Sequence, residues 1–115
     1  MTRDEIAALA WVACGGALGA LARAYGPFST FWINVIGCAV IGLAMPLIGT
    51  LWTWRYTREF VTVGMCGGFT TFSGYFLAAH NAGDTTDLVA YLVAGAAACL
   101  AAVAIGSLLS RRLVR

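Results

Sequence analysis

Charge is what this sequence has least of. Only 10% of its 115 residues are Asp, Glu, Lys or Arg, against about 25% in a soluble domain, and the mean hydropathy is +0.85. A soluble globular domain is excluded. The acidic residues Asp4, Glu5, Glu59, Asp84 and Asp87 all stand at the ends of apolar runs. No pair of them can work as general acid and base within a run, and no nucleophile has a base at helical spacing, so an enzyme is not expected. The lone histidine, His80, also lies at a run's end and reads as interfacial. Cys14, Cys38, Cys66 and Cys99 fall one to a run with no CxxC spacing, which makes them small apolar packing residues in preference to a metal site or disulfides. The arginines are few and have an orientation role, described below, that leaves no basic patch for nucleic acid. Linkers, low-complexity tracts and internal repeats are lacking too.

What is present is apolar sequence in membrane-length runs. Ile6 to Tyr25, Phe28 to Gly49, Phe60 to His80 and Leu88 to Ser110 are each about 20 residues, enough to cross a ~30 Å hydrocarbon core at ~1.5 Å per helical residue. The sequence therefore predicts an all-α membrane protein, a single domain over residues 1–115 with four transmembrane helices in a lipid bilayer. Only Arg3 precedes the first run, Asp4 and Glu5 follow at once, and the run is too long for a signal-peptide core. It is expected to stay in the mature chain.

The third run is interrupted. GMCGGFTTFSGYF, residues 64–76, sets Gly64, Gly67, Gly68 and Gly74 among Thr70, Thr71 and Ser73. Each glycine costs on the order of 1 kcal/mol of helix propensity, and the threonines are β-branched, so a helix broken at the bilayer midplane is predicted. Backbone groups freed in hydrocarbon need protein or a polar cavity to satisfy them. The break should face inward, and such breaks are where membrane transporters place ion sites.

Other polar and small residues are fewer. Gly15 and Gly19 form a GxxxG pair, with Gly16, Ala20 and Ala24 on neighbouring faces, a pattern for close helix packing. Arg23 ends the first span, either snorkelling to the interface or turned into a vestibule that collects anions. Asn34 lies about two turns inside the second span, where its amide must find a partner; a structural interhelical bond and a polar lining are both open. Pro27 suits a first helical turn, Ser29 or Thr30 can cap it, and Thr85 or Thr86 can cap the fourth span. Pro46 is one turn from the end of span 2, where a kink disturbs little. The loop LWTWRYTRE, with Trp52, Trp54 and Tyr56 beside Arg55 and Arg58, has the composition of an interfacial anchor. With four spans, both termini share a side with that loop. That side collects Arg3, Arg55, Arg58, Arg111, Arg112 and Arg115 against Arg23 alone, so both termini are expected in the cytoplasm, beneath the inner (plasma) membrane.

GGALGALARAYG at 15–26, TFWINVIGCAVIG at 30–42 and GMCGGFTTFSGYF at 64–76 resemble, in order and spacing, three signature blocks of the Fluc/CrcB fluoride channel family. The resemblance implies a passive fluoride exporter: an antiparallel dimer of four-helix subunits with two narrow pores and a structural sodium ion at the dimer centre. It implies that main-chain carbonyls of Gly67 and Thr70 hold the sodium, that Asn34, Phe72, Tyr75 and Tyr91 line the pore, and that Arg23 stands in the vestibule. Aromatic edges carry partial positive charge, and the Asn34 amide and the Thr71 and Ser73 hydroxyls donate hydrogen bonds. Together they would replace the water around a small anion without a fixed charge to trap it. Read without the resemblance, Phe72 and Tyr75 at i,i+3 are core aromatics.

Two positions depart from the family's pattern. Tyr75 stands where a second phenylalanine is usual, with Phe76 following, and Gly95 stands where a serine often lies one turn after the span 4 tyrosine. The arginine bias is a third oddity, since homodimeric members insert both ways up. It predicts insertion one way only, paired with a homologous subunit of opposite bias. Two other readings stay open: a non-conducting or pore-modifying partner subunit, and a small multidrug-type transporter. The latter would need a membrane-embedded carboxylate, and span 1 has none.

Overall fold

A computed structural model describes residues 1–115 as helices joined by short turns. The first helix, α1 (Arg3–Tyr25), begins with a capping box in which Thr2 Oγ1 accepts from the Glu5 amide at 3.2 Å and Glu5 Oε2 accepts from the Thr2 amide at 2.7 Å. Asp4 and Glu5 in the first turn and Arg23 in the last suit the helix dipole. Helix α2 (Thr30–Ala44) has Ser29 at its N-cap position, but the hydroxyl makes no capping bond. It is 15 residues long, or ~22 Å, and stops short of the expected end at Gly49. Pro46 offers no N–H and crowds the carbonyl four residues back, so the chain leaves the helix there and turns through Gly49 at φ 83°.

The third apolar run is two pieces. A wide π-helical segment, Arg58–Cys66, passes into a single turn, α3 (Gly67–Phe69); the backbone is extended at Thr70 and Thr71; and α4 (Phe72–Asn81) restarts the run. The fourth, α5 (Thr85–Leu113), is capped by Asp84, whose carboxylate accepts from the Thr86 and Asp87 amides at 2.9 and 3.1 Å. The cap is neither threonine, because Asp84 stands just before the first helical residue with a stronger acceptor. Arg3–Tyr25, Arg58–Asn81 and Thr85–Leu113 are each long and apolar enough to cross a membrane, and α2 is a shorter apolar helix. Only 14 of 115 residues are buried, while Leu100, Leu108 and Leu113 are more than 60% exposed. The outer surface is therefore itself apolar, as a bilayer requires, and the chain is a multi-pass membrane protein.

Glycines set the packing. A Cβ on Gly15 would stand 2.9 Å from the Met65 amide nitrogen, and one on Gly19 would stand 2.8 Å from that of Phe69. The first helix and the third run thus meet backbone to backbone, as the GxxxG spacing predicts. Helices α2 and α5 approach as closely: a Cβ on Gly42 would lie 2.9 Å from Val103 Cα, and one on Gly106 2.8 Å from the Ala39 carbonyl. Fully buried Ser110 donates to the Leu43 carbonyl at 2.6 Å. Ser110→Ala is expected to lose about 1–3 kcal/mol by leaving that carbonyl without its side-chain donor, read as a lowered melting temperature in detergent.

Trp54 packs edge-on to Trp11 with centroids 4.8 Å apart and also meets Phe60 and Tyr56. Arg55 reaches the Asp4 carboxylate at 2.8 Å, which pushes the guanidinium pKa up through hydrogen bonding and charge. The pair is exposed, so it adds little stability, but it shows that the N-terminus and the 51–57 turn lie at one end of the bundle.

Candidate groove at the broken helix

At the break, Asn34 takes both main-chain groups of Thr71. In an unbroken α-helix the Thr71 amide would bond the Gly67 carbonyl four residues back. Here it donates to Asn34 Oδ1 at 2.8 Å, and Asn34 Nδ2 donates back to the Thr71 carbonyl at 3.1 Å. Only this orientation of the amide satisfies both contacts, and it leaves one of the two Nδ2 protons free. The next turn is capped in the ordinary way: Thr71 Oγ1 accepts from the Gly74 amide at 3.1 Å and lies 3.5 Å from Ser73 Oγ. The preceding turn closes through Thr70, whose amide and hydroxyl both donate to the Cys66 carbonyl, at 3.0 and 2.9 Å.

Arg23 reaches the same break. Its guanidinium donates to the Thr70 carbonyl at 3.0 Å, the negative end of the α3 turn. It is half-buried and does not border the groove described next. The Gly67 carbonyl has lost its helical donor at Thr71, and Gly67 is exposed, with nothing within 4 Å in its Cβ direction.

Asn34, Thr70, Thr71, Phe72 and Tyr75 border one groove of about 540 Å³ between α2, the break and α5. Ser73 is exposed beside Thr71. Phe72 sits on the rim and is 76% exposed. Tyr75 does the opposite: it is 5% exposed, stacks on Tyr91 at 4.8 Å and 27°, and donates its hydroxyl to the Tyr91 carbonyl. Its ring rests on Gly95, where a Cβ would collide with the phenol. Phe31 completes this aromatic group, 6.0 Å from Tyr91 and 6.5 Å from Tyr75. The sequence reading did not single out Phe31, though its place one turn before Asn34 puts both on one helix face. No set of three or more His, Cys, Asp or Glu side chains converges anywhere, and the polar side chains lining the groove are the Asn34 amide, the Thr70, Thr71 and Tyr75 hydroxyls and the Cys38 and Cys99 thiols.

A family model for CrcB-like proteins, described as camphor resistance (CrcB), matches residues 10–107. The chain belongs to the CrcB family. Among CrcB relatives, it is 41% identical over 101 residues to fluoride-specific ion channel FluC 2 of Streptomyces avermitilis, an alignment covering 75% of this chain and 64% of that protein. It is 38% identical over 111 residues to FluC 2 of Nocardia farcinica, covering 84% of this chain and 79% of the relative. With FluC 1 of Streptomyces coelicolor it shares 37% over 128 residues, covering 98% and 83%. No solved structure matches the chain. The residues that form the groove and the break all lie within the matched range.

Proposed function

We propose that the chain is a subunit of a fluoride-selective channel of the inner (plasma) membrane, lowering cytoplasmic fluoride by passive efflux. The observation that carries this reading is the Asn34–Thr71 pair of hydrogen bonds, which keeps a transmembrane run unwound beside an apolar groove, in a chain whose relatives are named fluoride-specific channels. Along the groove, the spare Asn34 N–H, the Thr71 hydroxyl and the aromatic edges of Phe72 and Tyr75 would stand in for water around the anion, with the Ser73 hydroxyl beside Thr71 and the Tyr91 ring stacked on Tyr75 just outside that lining. No cation borders the groove, so nothing there would hold the anion fast. Arg23, placed on the Thr70 carbonyl, would act from beside the pathway.

An antiparallel dimer fits the same features. In it, the exposed Phe72 ring would close a pore against a second subunit, and the two breaks would meet near the midplane. The sodium ion of the resemblance finds suitable chemistry here, since a hard cation takes oxygen ligands. The Gly67 carbonyl lacks its helical donor and Thr70 keeps one lone pair beside Arg23. Those two oxygens are too few alone, and a partner would bring the matching pair. Bound there, sodium would supply a fixed positive charge tying the breaks together. The six-to-one arginine distribution favours a partner that is a homologous subunit of opposite bias.

A second reading, that this subunit modifies or silences the pore it lines, is favoured by Tyr75 folded over Gly95. Efflux from liposomes, measured with a fluoride electrode for the chain alone and with an oppositely biased homologue, tests the function; no efflux in either case overturns it. Tyr75→Phe separates the two readings. Removing the hydroxyl frees the ring from the Tyr91 carbonyl, and efflux is expected to rise about tenfold if ~1.4 kcal/mol of hydrogen bonding had held it closed; an unchanged rate removes the silencing role.

A further inference from the structure

Close packing of α2 on α5 places two thiols face to face. The pairs Phe31 with Tyr91, Gly42 with Val103 and Leu43 with Ser110 ascend together along both helices, so the helices run parallel. At Gly42 the backbones nearly touch, with a Cβ there 2.9 Å from Val103 Cα. One turn earlier on each helix stand Cys38 and Cys99. Parallel helices keep in step over one turn, so these residues oppose each other one turn before that closest approach. Both border the groove, and both are half-buried free thiols. Of the other cysteines, Cys66 is buried behind the break and Cys14 is exposed on α1; neither borders this groove.

The ligand class follows from charge and coordination number. Thiolates prefer soft ions, and zinc would need four ligands where only two converge. Soft closed-shell ions accept two sulfurs in a line. Among these, a monovalent ion would leave one net negative charge in an apolar wall, which is costly, whereas a dication leaves none. We propose that Cys38 and Cys99 form a two-thiolate site for a soft, thiophilic dication, of which Hg(II) is the probe, and that filling it obstructs the groove. Two S–H bonds break, two S–Hg bonds form and both protons leave to water, with no change of oxidation state. The binding claim stands on the helix register alone; the obstruction claim rests on the groove as conduction route.

The test uses the full chain in liposomes treated with one equivalent of Hg(II) and then washed with excess monothiol. Intact-mass measurement is expected to show one mercury retained with two protons lost in the wild type, in Cys14→Ser and in Cys66→Ser. Cys38→Ser and Cys99→Ser each lose the second sulfur, and retention should fall on the order of 10²–10⁴-fold with the loss of bivalency. Retention in either variant equal to the wild type, or none in the wild type, overturns the site. Fluoride efflux should stop in the wild type, recover with a small dithiol, and persist in both serine variants. Mercury retained at the pair with efflux unchanged overturns the obstruction and the groove as the route, while the binding site stands.

Discussion

Asn34→Ala is expected to cut fluoride efflux about 100-fold and to destabilise the subunit by roughly 2–6 kcal/mol. The stability figure comes from leaving the Thr71 N–H and C=O unpaired away from water, each at about 1–3 kcal/mol, since both bonds run to Asn34. The flux figure follows if ~2.7 kcal/mol of that loss falls on the open geometry of the break. A fluoride electrode reads the first quantity and thermal melting in detergent the second. Asn34→Asp separates their causes. It keeps an acceptor for the Thr71 amide but sets a negative oxygen against the Thr71 carbonyl and in the path of the anion, so its flux should fall at least as far as that of the alanine variant. Efflux near the wild-type rate in both would mean that fluoride takes another course.

Gly19→Leu should abolish the folded subunit. Its side chain would be driven into main-chain atoms of Met65 and Phe69, which cannot move aside as a flexible side chain would, so the loss is expected to exceed about 4 kcal/mol. Gly67→Ala is the matched contrast, because nothing lies within 4 Å of its Cβ direction. The single subunit should fold as before, and any effect should surface only in dimer assembly. Size-exclusion profiles of the two variants check both statements, and a monodisperse, stable Gly19→Leu protein would contradict the packing described.

The helical class and the membrane setting were legible because composition and run length answer directly to the bilayer. The unwinding near Thr70 and Thr71 was legible as well, because glycines and β-branched residues oppose helix locally. Its partners were not. Asn34 stands 37 positions from Thr71 and Arg23 stands 47 from Thr70, and a bond from a side chain to a distant main chain leaves no periodic trace. Arg23 was open between interface and vestibule, and the carbonyl its guanidinium meets at the break could not be read from either. Capping by Thr85 or Thr86 gave way to Asp84, and the second helix ended early at Pro46; both were written in the sequence as local chemistry that competed with a plausible neighbour. The shelf that Gly95 makes for Tyr75 could be seen as a departure from a pattern, but not as a contact.

The wide segment Arg58–Cys66 carries a consequence for evolution. Its hydrogen bonds reach five residues instead of four, so each such turn harbours one residue beyond the α-helical count. A deletion within it can be absorbed by tightening to ordinary α geometry, while an insertion has no slack to draw on and would drag Thr71 away from Asn34. Length variation among descendants of this chain should therefore run toward shortening here.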